Sequence, residues 1–200
     1  MTISLAIDTS TSRTSVAIID EGAIVWHGHH DGATSHGSAL PTMVAQALAF
    51  QNRVDQVVVG MGPGPFTGLR VGIAFALTFA QARGIAVIGV CSLDAIAAVV
   101  QVHSSFIVAT DARRKELYWA RYENAIRVEG PHVSIPKEVV ELNLPIFGEG
   151  ALKYQLTTND EIVYPDMAAL VGLSHDQGSH VTEAMYLRRP DAVPTSERKP

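Results

Sequence analysis

The chain has 200 residues, 47% of them hydrophobic and 18% charged. That suffices to bury a core in one domain or two small lobes, and the composition is that of a globular protein, not a disordered one. A net charge of −5 supplies no generally basic surface, so tight unaided binding to nucleic acid, which needs clustered Lys and Arg, is not expected. The single cysteine, Cys91, rules out an intramolecular disulfide and a multi-cysteine zinc site. The opening MTISLAIDTS has no basic leader, and no apolar run reaches the roughly 18 residues of a membrane span. A cytoplasmic protein is expected.

In chain order, Ile3 to Asp8 is apolar and rich in β-branched residues, which predicts a strand. Thr9 to Thr14 predicts a turn, Ser15 to Asp20 a second strand, Glu21-Gly22 a turn and Ala23 to His30 a third strand. Leu40 to Phe50 reads as a helix with Pro41 in its first turn. Gln56 to Met61 is a strand of the kind buried on both faces. A helix from Thr67 to Arg83, a strand from Ile85 to Val90 and a helix from Leu93 to Val102 follow, the last with Ser92 as its N-cap. The second half opens with a hairpin, Ser105 to Thr110 and Glu116 to Tyr122, that weakly resembles the opening of the first. Val128 to Ile135 adds a strand. Ile146-Phe147 leads through Gly148-Glu149-Gly150 into a short helix, Pro165 to Leu173 predicts another, and Pro190 to Pro200 is a loose tail. The expected organisation is two lobes with a mixed sheet in each, residues 1–102 and 103–200.

The segment Gly62 to Gly72, GPGPFTGLRVG, is the centre of interest. A glycine-rich turn before a helix can bind phosphate through helix-terminal N–H groups, but here there is no Walker lysine and two prolines remove donors. Gly64, Gly68 and Gly72 fall four apart and share one helix face, which lets another backbone approach closely. The rest of the helix is apolar nearly all round and must be covered on every side. Spacing alone leaves two homes for the glycine face: an interface with another molecule, or packing against the other helices of this chain.

Other groups carry weaker signals. Asp8, ending the first strand before Thr9-Ser10-Thr11, stands where actin-like ATPases hold metal and phosphate, though a strand-ending Asp more often caps its own turn. His27 and His29 share a strand face but lack an acidic third ligand, so they read as an exposed face. Asp111 to Glu116, DARRKE, is a charged hairpin turn in which Arg113 or Arg114 is suited to phosphate. Cys91 has no base within sequence reach and is not expected to be a nucleophile.

Several segments together resemble the TsaB (YeaZ) family. GPGPFTGLRVG is similar to its hallmark GPGSFTGLRxG, and IDTST (residues 7–11), VCSLDA (90–95), DARRKELY (111–118), GEGA (148–151) and YLRRPDA (186–192) fit in family order. Pro65 replaces the usual Ser, and SHGSALP brings His36 one residue closer to Pro41 than the family's pattern, without its Glu. The resemblance implies a two-lobed α/β fold of the actin-like (ASKHA, ribonuclease H-like) kind. It implies a non-catalytic subunit that supports TsaD in making tRNA threonylcarbamoyladenosine, with no cofactor, no metal and no catalytic residue of its own. TsaE is then a further partner, a homodimer forms through the same face, and tRNA is met only through the complex. On this reading the partner interface comprises Gly64, Phe66, Thr67, Gly68, Leu69, Arg70, Gly72, Ile73 and Leu77. Asp8, Arg113, Arg114 and Glu116 are candidates for polar or anion contacts. Gly72→Leu is expected to keep the fold and abolish association with TsaD. The rival reading is an active ATP-dependent transferase or kinase on the same fold, using Asp8, with Asp111 as the second-lobe aspartate and Gly148-Glu149-Gly150 as a remnant of an adenosine loop.

Overall fold

The computed structural model describes residues 2–102, 104–157 and 163–188. The predicted tail from Pro190 to Pro200, and the part of YLRRPDA beyond Arg188, lie outside the described residues.

Two mixed sheets form the two-lobed architecture. The first contains β1 (Ile3–Asp8), β2 (Arg13–Asp20), β3 (Ala23–Asp31), β4 (Gln56–Gly60) and β5 (Ala86–Val90), in the order β3-β2-β1-β4-β5. The first three strands are an antiparallel meander, as their tight turns require, while β4 and β5 join in parallel through helical crossovers. The second sheet contains β6 (Phe106–Asp111), β7 (Leu117–Glu123), β8 (Ile126–Ser134) and β9 (Ile146–Phe147), in the order β8-β7-β6-β9. Its antiparallel triplet and parallel fourth strand repeat the first sheet without a fifth strand. The weak likeness of the two sequence halves is therefore a likeness of topology. Both leading strands end in aspartate, Asp8 and Asp111.

Helices α1 (His36–Phe50) and α2 (Phe66–Arg83) cover one face of the first sheet. The alternation of the strands decides what they meet: Leu5, Ile7, Val16, Ile18, Val57 and Val59 point to this side. The other face carries Ala6, Ala17, Ile19 and Val58, packed against α3 (Ser92–Ala97) and α6 (Met167–Leu173). The chain thus returns to the first sheet after α4 (Pro136–Val140) and α5 (Glu149–Lys153), and residues 180–188 then run along its edge. There Val181 N–H donates to the Gly89 carbonyl (2.9 Å) and Met185 N–H to the Met61 carbonyl (2.8 Å).

Three local expectations are corrected. The first helix begins at His36, not Leu40, which puts Pro41 inside it. The proline deprives the carbonyl of Gly37, an exposed residue, so the lost bond can be made to water. Helix α3 ends at Ala97, and Ser92 is its first residue, with its hydroxyl turned away from the helix. Helix α4 was not expected; Pro136 starts it in the position where a missing N–H costs nothing.

Candidate functional site

The lead-in to α2 is built from β4, the loop Gly62–Pro65 and the turn after β1. Asp8 lies under it, only 1% exposed. One carboxylate oxygen accepts from the Ser10 N–H (2.9 Å) and hydroxyl (2.8 Å). The other accepts from the Ser92 hydroxyl at 2.6 Å. Ser92 Oγ in turn accepts the Gly62 N–H (3.2 Å) and so ties the loop to the strand end. Position 60 is glycine because the Asp8 carboxylate occupies the space of its Cβ. Burial pushes the Asp8 carboxyl above its ordinary pKa and outweighs the opposing hydrogen bonds from Ser92 and Ser10. Asp8, expected as a polar or anion contact, has both of its oxygens engaged within the chain.

The glycine face is corrected too. A Cβ on Gly64 would stand 2.5 Å from the Ser10 carbonyl, one on Gly68 2.7 Å from the Thr9 carbonyl, and one on Gly72 would meet Thr9 Oγ1. The Thr9 hydroxyl donates to the Gly68 carbonyl at 2.8 Å. Within the chain, the β1–β2 turn is what approaches the side-chain-free stripe, where packing against another helix was the expectation. Gly64, Gly68, Leu69 and Gly72, expected at the interface, are buried within the chain itself. His36 completes this packing, 3.4 Å from where a Gly68 Cβ would stand, with its Nδ1 at 2.8 Å from the Thr14 hydroxyl. Burial, followed by the nearby charges of Arg113 and His30, lowers its pKa.

The opposite flank of α2 remains open. Thr67, Arg70, Ala74, Leu77, Thr78 and Gln81 are exposed at helical spacing, and Leu77 is 53% exposed. Ile73 is half-buried beside them. Ile73 and Leu77 line a 340 Å³ apolar hollow with Val87, Ile88, Val181 and Ala184. At the start of the helix the half-buried Phe66 ring contacts Tyr186 (4.9 Å between centroids), and Arg70 lies over it at 5.4 Å. Of the nine residues expected at the interface, Phe66, Thr67, Arg70, Ile73 and Leu77 thus share the outward side.

The charged hairpin turn has a different environment. Arg113, Arg114 and Lys115 are exposed and all adopt left-handed backbone conformations, φ 64°, 50° and 62°. Such conformations cost non-glycine residues about 1–2 kcal/mol each. Glu116 is half-buried and pairs with Arg188 (3.1 Å), which also donates to the Ala112 carbonyl (2.8 Å). Asp111 is buried and held by Lys153 (2.6 Å), the Tyr154 hydroxyl (3.3 Å) and the Arg113 N–H (3.2 Å). Neither strand-ending aspartate presents an open oxygen pair to a metal or phosphate. Among the described residues no group of three or more His, Cys, Asp or Glu comes together as a metal site. Cys91 is fully buried, and burial pushes its thiol up to about 12.

Sequence reasoning missed two residues. Ser92 reads as a cap because nothing local reveals a partner 84 positions away. Glu149 reads as part of a turn, yet it reaches the first lobe, where one of its oxygens accepts the Ser12 N–H at 3.0 Å. The acid in the first turn of a helix after Gly148 is the only local signal for it.

The family model described as TsaD, tRNA N6-adenosine threonylcarbamoyltransferase, matches residues 30–176. An uncharacterized protein of Mycobacterium leprae is 41% identical over 219 residues, covering 100% of this chain but 59% of that protein. The tRNA threonylcarbamoyladenosine biosynthesis protein TsaB of Haemophilus influenzae is 35% identical over 124 residues, covering 58% of this chain and 52% of its own. The chain thus spans little more than half the length of these two relatives. The solved structure of YeaZ from Pseudomonas aeruginosa superposes with a TM-score of 0.67 at 26% identity, covering 92% of this chain and 96% of that one. No helix among the described residues is long and apolar enough to cross a membrane.

Proposed function

The chain belongs to the TsaB (YeaZ) family, and on that premise we propose that it is a non-catalytic partner subunit in tRNA threonylcarbamoyladenosine biosynthesis. In this reading it binds a TsaD-type transferase and supports threonylcarbamoyl transfer to the adenosine next to the anticodon. One observation carries the non-catalytic part. The carboxylate at the end of β1, where an actin-like enzyme needs an acid for metal and phosphate, is buried and accepts hydrogen bonds from Ser10 and Ser92 on both oxygens. Its counterpart Asp111 is likewise consumed by Lys153 and Tyr154. The rival reading as an ATP-dependent transferase would need these acids for metal and phosphate while they also hold Ser10, Ser92, Lys153 and Tyr154.

The docking face is the outward flank of α2, centred on Ile73 and Leu77, bounded by Thr67 and Arg70 and extended by the Phe66–Tyr186 pair. The same flank serves a homodimer, so TsaD and a second copy compete for it. TsaE joins the assembled pair, tRNA is met only through the complex, and the work is done in the cytoplasm. Arg113 and Arg114, both exposed, make polar contacts within the assembly in this reading.

The test is Leu77→Asp. Burying one leucine at an interface stabilises by about 1.5–3 kcal/mol, so its loss should weaken binding to the TsaD of the same organism by roughly 10-fold or more, with unchanged thermal stability. Titration by calorimetry, beside a melting curve, reads both. Wild-type affinity in a folded Leu77→Asp variant would remove this face from the proposal.

A further inference from the structure

The turn between β6 and β7 concentrates positive charge on a chain whose net charge is −5. Arg113, Arg114 and Lys115 follow one another there and are all exposed. Two backbone bonds close the turn beneath them, from the Ala112 N–H to the Glu116 carbonyl (3.0 Å) and from the Glu116 N–H to the Arg113 carbonyl (2.9 Å). The three cations therefore form a projecting tip. Their left-handed conformations would suit Asn or Gly better, so charge is placed here at a cost to the backbone. The acids that bracket the tip do not cancel it. Asp111 is buried and paired with Lys153 (2.6 Å), and the half-buried Glu116 is paired with Arg188 (3.1 Å). Arg113 and Lys153 also line a hollow of about 350 Å³ between the lobes, so the positive edge runs from the tip to the mouth of the cleft. With the buried Glu149 of that hollow included, five cations stand against three acids.

We propose that the tip of residues 113–115 is a contact surface for the phosphate backbone of transfer RNA, offered by this chain itself inside the assembled complex. The inference rests on the reading that the chain works in tRNA threonylcarbamoyladenosine biosynthesis, where the substrate is a polyanion. Arginine forks match phosphate oxygens, and a lysine serves them as a point charge. Phosphate contacts fix the position and orientation of a nucleic acid without reading its sequence. That is a task suited to a subunit that performs no chemistry. A few cations on an otherwise acidic chain bind RNA only weakly by themselves. They count for more once a partner holds the RNA beside them, because the second contact is then made within one assembly.

The test titrates a labelled transfer RNA transcript with the whole chain, and with the chain bound to the TsaD of the same organism, over a range of salt concentrations. Arg113→Asn, Arg114→Asn and Lys115→Asn combined remove the charge of the tip, and asparagine tolerates a positive φ. Arg53→Gln, Arg83→Gln and Lys137→Gln combined, at exposed positions elsewhere, remove the same charge and serve as the control. The tip variant should weaken RNA binding at low salt by roughly tenfold or more and flatten the slope of log K against log salt by about 2–3. The control should keep the wild-type slope. The isolated chain should bind weakly at low salt and show the same loss in the tip variant. That arm needs no TsaD, so its result stands whether or not the α2 face is the docking face. Unchanged affinity and slope in a folded tip variant overturn the proposal, as does an equal loss in the control or an isolated chain with no saturable binding at low salt. A tip variant that binds RNA like the wild type but no longer binds TsaD would assign the tip to an acidic protein surface and overturn it as well. Should the combined variant fail to fold, Lys115→Asn alone decides, with an expected flattening of about 1.

Discussion

Gly72→Ala tests the inward orientation of the glycine stripe most directly. In an ordinary helix this change stabilises by about 1 kcal/mol, because alanine loses less backbone entropy than glycine. Here the new methyl would meet Thr9 Oγ1, with Thr9 Cβ and Cγ2 both at 3.3 Å. Thr9 is 1% exposed and its hydroxyl donates to the Gly68 carbonyl at 2.8 Å. Moving it breaks that bond and leaves buried polar groups unpaired, a cost of about 1–3 kcal/mol. Overpacking adds about 1–3 kcal/mol. The net expectation is destabilisation by roughly 1–5 kcal/mol, about 3 kcal/mol at the midpoints, after the helix gain is subtracted. In a chain of this size the midpoint is a fall in Tm of roughly 6–12 °C. Urea unfolding followed by fluorescence of Trp26 and Trp119, one in each sheet, measures it. Gly172 in α6 has nothing within 4 Å of its Cβ position, so Gly172→Ala is the control and should be neutral or stabilising. Thr9→Ala should recover part of the loss in the Gly72→Ala background, a non-additivity that a double-mutant cycle reads. If Gly72→Ala is as stable as the parent, the stripe is not packed against Thr9. The same geometry predicts that Gly72→Leu, expected from the sequence to spare the fold, destabilises it.

Two further outcomes concern pH. The folded-state pKa of Asp8 is raised by burial, so its contribution to stability is full below the unfolded value of 3.8 and is lost as pH rises through the folded value. Asp8→Asn removes that loss, and its stability relative to wild type should improve steadily from about pH 3.8 upward in urea titrations; a difference that stays constant with pH would contradict the burial argument. For His36 the folded pKa lies below 6.5, so its contribution is present above that value and is lost as pH falls through the folded pKa. His36→Gln should therefore lose less stability than wild type on acidification below 6.5, and an NMR titration of His36 with a midpoint at or above 6.5 would refute the assignment.

Much of the fold is legible because its signals are local. The apolar runs of β1 and β4, the short turns between β1, β2 and β3, and the long apolar helix ending at Gly84 each follow from residues within one window. Gly84 adopts φ +66° and closes α2 with N–H bonds to the Ala80 and Gln81 carbonyls, as a glycine after a basic last turn suggests. Pro41 reads as a first-turn residue, which places the start of α1 at Leu40 although the helix begins at His36. The structure tolerates it further in, where Gly37 is exposed and His36 is held by Thr14. In the candidate site, motif and spacing picked out the segment Gly62 to Gly72 and the aspartates Asp8 and Asp111. They did not reveal that both acids are already bonded, because Ser92 and Lys153 come from distant elements.

The sequence by itself determined that Gly68 and Gly72 share one face of α2, with Gly64 in the loop that leads into it, since a period of 3.6 residues orders side chains around a helix whatever surrounds it. Only the tertiary structure decided what approaches that face. The β1–β2 turn lies over the start of α2, so Thr9 and Ser10 take the glycine face and Leu77 is turned outward. Helical periodicity is blind to whether a neighbour belongs to the same chain. That choice is made by contacts more than 50 positions apart, such as the bond from Thr9 to Gly68, which leave no trace in any local pattern.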